Sequence, residues 1–170
     1  MKPVLIGYFI GLPEGGLSNS IDMELFNFAK KEKKHIIGLE TAAEQMESLN
    51  QLTNEEQGKY LEKAITGFSS QGGEMKELLK IYIDQKGSAL VEKIEDSDAS
   101  GSFNKELVIK RNHRLTERAL PDLEKSSVFI AVGAAHLPGK EGVIEILRTK
   151  GYKVTPLKLV FKMPVTKQKP

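Results

Sequence analysis

A chain of 170 residues with 39% hydrophobic and 28% charged residues is long enough for one folded domain and too apolar for a disordered one, so residues 1–170 read as a single domain. Its 25 Lys and Arg against 23 Asp and Glu leave a net charge of +2, and no basic run is interleaved with aromatics, which argues against nucleic acid as a partner. The absence of cysteine excludes disulfides, thiolate metal sites and a cysteine nucleophile.

The stretch Met1 to Leu12 is apolar but carries a Lys, a Pro at position 3 and no small-residue cleavage site. It reads neither as a signal peptide nor as a transmembrane segment. Residues 3–11 fit a short buried helix or a strand equally well. Leu12 to Asn19 is rich in Gly, Pro and Ser and reads as a loop. Ser20 is placed to cap a helix reaching about Lys34, with Asp22 and Glu24 in its first turn and lysines in its last. The short apolar run 35–40 lies between two helical patterns and predicts a buried strand.

Thr41 with Glu44, and Thr53 with Glu56, have the spacing of capping boxes, each opening a helix. Gly72 and Gly73 break the chain. Helical spacing returns through Met75, Leu78, Leu79 and Tyr82, then through Leu90, Val91 and Ile94. A polar loop at 96–102 leads to a helix over about 103–122. Val128 to Val132 is the strongest strand pattern. It ends at Gly133 and feeds a helix near 142–150 that Gly151 terminates, followed by a strand at 153–160. The expected fold class is therefore α/β and helix-rich, with a small, mainly parallel sheet and a C-terminal βαβ unit.

Three residues could carry chemistry. His136 follows the small residues Gly133, Ala134 and Ala135 at the carboxyl end of a predicted strand, where sites form in open α/β sheets. The helix after it would favour a neutral imidazole, fit to bind a metal or act as a base. Against this, the segment could be packing and His136 a loop residue. Arg111 lies four residues from Leu107 and from Leu115, on an apolar stripe, where it needs a carboxylate or anionic ligand unless it snorkels to the surface. Glu40 closes the first predicted strand at the same sheet edge. It could bind metal, act as a base, pair with Arg111, or help cap the helix at Thr41. His35 reads as structural and His113, about 100° around the helix from Arg111, as solvent-facing.

Taken in order, Gly38-Leu39-Glu40-Thr41, then Arg111-Asn112, then Val132 to Gly139 with its Gly-x-x-His, then Gly142-Val143 and Gly151 to Val154, resemble the TraB/PrgY/GumN family. The resemblance runs over nearly the whole chain and places it as a C-terminal portion of such a protein, within a larger fold of the erythromycin-esterase and ChaN type. It implies a metal-dependent hydrolase, peptidase- or esterase-like, acting on a peptide or small molecule. Glu40, Arg111 and His136 would be its catalytic residues, and His136 with Glu40 the ligands of a divalent ion, Mn, Co or Zn. A periplasmic or extracellular place follows from the same resemblance. The alternative is a non-catalytic protein that binds peptide, metal or haem. The family motif set has two Gly-x-x-His segments and this sequence has one. If metal binding needs both histidines, the chain alone is expected to be inactive, and a homo-oligomer paired through Val4 to Ile10 would supply the second.

Overall fold

A computed structural model describes residues 2–10, 20–69, 73–97 and 101–157. The loop expected at 12–19, the middle of the loop at 96–102 and the residues beyond 157 lie outside them. The described residues form helices α1 (Pro3–Ile10), α2 (Ile21–Lys31), α3 (Ala42–Asn50), α4 (Asn54–Ser69), α5 (Gly73–Ile83), α6 (Gly87–Ser97), α7 (Ser102–Asn104), α8 (Lys110–Leu123) and α9 (Val143–Thr149). A π-helical segment, Lys105–Ile109, joins α7 to α8, and a 3-10 turn spans Ala134–His136.

The caps act where the sequence placed them. The Ser20 hydroxyl accepts from Met23 N–H at 3.3 Å and starts α2. Thr41 and Glu44 make a reciprocal capping box at α3, and Thr53 and Glu56 make another at α4. Each satisfies backbone donors that a helix start leaves without partners.

The open choice over residues 3–11 resolves as a helix, with Pro3 at its first position, where a missing N–H costs nothing. Helix α1 packs against α4. Val4 is 4% exposed, and Gly7 lets the two backbones approach, since a Cβ there would lie 3.1 Å from Tyr60 and 3.2 Å from Ala64. Val4 and Gly7 are covered by the chain's own α4, while Phe9, in the same stretch expected to meet a second copy of the chain, is 59% exposed. A second core lies between α8 and α9, where Leu115, Ala119, Val143 and Ile146 are buried.

The expected α/β class is overturned. Among the described residues there is no strand, no sheet and no βαβ unit. Segments 35–40, 128–133 and the described part of 153–160 run without strand pairing. A strand exists only if a neighbour takes its N–H and C=O groups, and the described residues supply none. The apolar runs suggested burial on both faces, yet Ile36 and Ile37 are exposed and Phe129 is 79% exposed. Only one side is covered: Leu39, Ile130 and Val132 converge on Leu115, Thr116, Ala119, Val143 and Leu147 of α8 and α9. Among the described residues no helix is long and apolar enough to cross a membrane.

Candidate functional site

Helix α8 carries the site on two faces. One face presents Arg111, Arg114 and Arg118, at spacings of three and four residues that put them on one side of a helix. It meets the turn before α3. The Glu40 carboxylate, 4% exposed, accepts from Arg111 Nε at 3.1 and 3.0 Å and from Nη2 at 2.8 Å. Arg114 Nη2 donates to the same carboxylate. The remaining Arg111 nitrogen, Nη1, donates to the Leu107 carbonyl at 3.0 Å, inside the π-helical segment. Burial pushes the Glu40 carboxyl up, but the hydrogen bonds and charges of Arg111 and Arg114 outweigh it and hold the group below its ordinary value.

One helical turn along, Arg118 bonds the Glu44 carboxylate and donates to the Leu39 carbonyl at 2.9 Å. The Arg118 hydrogen bond, with those from the Thr41 N–H and hydroxyl, holds Glu44 well below the usual carboxylate range.

The other face of α8 holds the Gly133–Gly142 loop. Asn112, 1% exposed, donates through Nδ2 to the Glu141 carbonyl at 2.6 Å and faces His136 Nδ1 with Oδ1 at 2.6 Å. The 3-10 turn closes with His136 N–H on the Gly133 carbonyl at 2.9 Å. Glycine is required at 142, because a Cβ there would overlap the carbonyl oxygens of Leu137 and Pro138. Gly139 sits at φ +88°, a conformation open to glycine at no steric cost. Burial is the largest cause lowering the His136 pKa below the ordinary imidazole value, and the Arg111 charge adds to it while Glu40 opposes. The ring is therefore neutral at pH 7.

The structure thus joins Glu40 directly to Arg111 and sets His136 within electrostatic reach of both. His113 is exposed, as expected, and pairs with Glu141 at 2.8 Å. Thr41 N–H is capped by Glu44 rather than by Glu40. Arg114, Asn112 and the Arg118–Glu44 pair were not singled out from the sequence. The arginine spacing 111, 114, 118 against carboxylates at 40 and 44 was the available signal.

Residues 1–156 match the model of the TraB/PrgY/gumN family. The chain belongs to that family. Metalloprotease TIKI2 of Xenopus tropicalis is 42% identical over 55 residues, covering 31% of this chain and 10% of that protein. Metalloprotease TIKI1 of Xenopus tropicalis is 38% identical over 66 residues, and that of Homo sapiens 35% over 66, each covering 37% of this chain and 13% of the relative. The chain therefore spans only about an eighth or less of these relatives' length. No solved structure matches it.

Those names raise the question of a metal ion. Among the described residues no three His, Asp or Glu side chains gather as a ligand set. Both Glu40 oxygens are taken by guanidinium groups, leaving His136 Nε2 as one donor. A protein-held divalent ion takes three or more protein ligands in the usual catalytic arrangement, so this donor set does not fit one by itself.

Proposed function

We propose that this TraB-family chain carries the histidine side of a hydrolase active site, acting on a peptide bond or ester. The observation behind the reading is a neutral, partly exposed His136 beside a carboxylate–arginine cluster. A neutral imidazole can take a proton from attacking water. Two guanidinium groups share the single Glu40 carboxylate, so the cluster keeps one unit of positive charge. That charge favours the negative oxygen that develops as a carbonyl is attacked. Glu40 in this reading orients the arginines and is not itself the base, because both of its oxygens accept hydrogen bonds.

The test is hydrolysis of quenched-fluorescence peptides and simple esters by the wild-type chain and by His136→Ala. The expected loss in kcat is about 10²- to 10⁴-fold, the usual range for a positioned acid or base. A folded His136→Ala protein that turns over as fast as wild type would end the reading. A folded wild type that binds peptide without cleaving it would favour the binding-protein alternative.

A further inference from the structure

We infer that Asn112 is a positioning residue that fixes His136 as the Nδ1–H tautomer, leaving Nε2 as the nitrogen with the free lone pair. The argument is one of forced hydrogen-bond directions. The Glu141 carbonyl can only accept, so the Asn112 group 2.6 Å from it must be the NH₂. With the amide reversed, two carbonyl-type oxygens would face each other at that distance with no proton between them. Oδ1 therefore faces His136 Nδ1, also at 2.6 Å, and oxygen of an amide can only accept. Nδ1 must then carry the proton in the neutral ring, and Nε2 must not.

Each end of this relay is itself held. Asn112 is buried on α8, and its own carbonyl accepts from the Thr116 hydroxyl at 2.7 Å. Glu141 lies in the loop whose turn is fixed by the glycine at 142. Backbone geometry beside one glycine thus dictates which imidazole nitrogen works, the role that a carboxylate or carbonyl plays behind many functional histidines. The functional meaning rests on His136 being the working base of the proposed hydrolase. The tautomer itself does not, so the two can fail separately.

The measurement is a long-range ¹H–¹⁵N correlation spectrum of the whole chain with ¹⁵N-labelled histidine, at a pH where the rings are neutral. The chain has three histidines, and His136→Ala assigns the relevant signals. The expected spectrum shows a protonated, pyrrole-like Nδ1 and an unprotonated, pyridine-like Nε2 for His136. Asn112→Ala, which removes the acceptor oxygen, shifts the ring toward Nε2–H. In peptide hydrolysis Asn112→Ala lowers kcat by about 10- to 100-fold, the size of effect seen on losing such supporting partners, with KM little changed. An Nε2–H ring in the wild type overturns the inference, and so does an unchanged Nδ1–H ring in folded Asn112→Ala. Where Asn112→Ala does not fold, the wild-type spectrum alone decides. A wild type that hydrolyses nothing but shows the Nδ1–H ring would remove the hydrolase reading and leave this inference standing.

Discussion

Glu40 and Glu44 lie four residues apart and face arginines of the same helix, yet they are different kinds of ion pair. Glu40 is covered to 4% exposure and takes donors from two arginines. Glu44 is 30% exposed and divides its oxygens between Arg118 and the capping box of α3. An exposed pair gains little, because water already solvates both charges and salt screens them. A buried carboxylate has no such alternative, and removing it strands its cations. The comparison separates a pair that shapes the candidate site from a neighbouring pair that mainly tidies a helix start.

The largest expected effect follows from Glu40→Gln. The substitution leaves Arg111 and Arg114 side by side with no anion, their side chains 21% and 30% exposed. Breaking a fully buried pair costs roughly 3–5 kcal/mol, and partial solvent access should reduce this to about 2–3 kcal/mol. Urea denaturation at pH 7 measures it through the midpoint. A midpoint equal to wild type would show that Glu40 contributes no more than a surface charge and would erase the contrast with Glu44.

Acid sharpens the same contrast. The folded pKa of Glu40 lies below its ordinary value of 4.5. A depressed carboxylate contributes stability that is fully present above the unfolded pKa and lost as pH falls through the folded one. The gap in stability between wild type and Glu40→Gln should therefore be widest near neutral pH and narrow as pH drops below 4.5. His136, with its pKa lowered from 6.5, adds a loss as pH falls below 6.5, and because Glu40 opposes the Arg111 charge on this ring the two proteins are compared in a His136→Ala background, where that loss is absent. Urea midpoints across pH 3 to 7 check the pattern, and a gap that stays constant or widens in acid would refute the assignment of Glu40 as the depressed group.

Much of this was legible because it is local. Capping boxes depend on residues three apart, so Thr41–Glu44 and Thr53–Glu56 could be read directly. Arg111 was singled out as a charge on an apolar helix stripe, and Glu40 as the residue closing an expected strand at 35–40 that the structure does not form. Arg114 escaped notice because it lies off the stripe Leu107, Arg111, Leu115, and the π-helical segment Lys105–Ile109 alters the turn on which that stripe was counted. The strands failed for a different reason. An apolar run states that a segment wants cover, but not whether a neighbour is there to pair with it. At Ile130 and Val132 helices α8 and α9 cover one side, while Phe129, just before them, stays open. His136 was found from its glycine-rich setting, whereas the Asn112 behind it depends on a loop carbonyl that no pattern in the sequence announces.

The smallest expected effect belongs to Glu44→Gln. Glutamine keeps an acceptor oxygen that can still reach Thr41 N–H, so the capping box survives in its Ser/Thr-x-x-Glu/Gln form. What is lost is the charge facing Arg118, and Arg118 keeps its bond to the Leu39 carbonyl and its access to water. The strong lowering of the Glu44 pKa does not convert into a matching stability, because an exposed carboxylate loses little solvation on folding and regains water when the pair parts. The urea midpoint at pH 7 should shift by far less than that of Glu40→Gln, and added salt should shrink the shift further. Equal shifts in the two variants would mean that Arg118–Glu44 is as firmly held as the buried cluster, and that the whole arginine face of α8, rather than its first turn, supports the site.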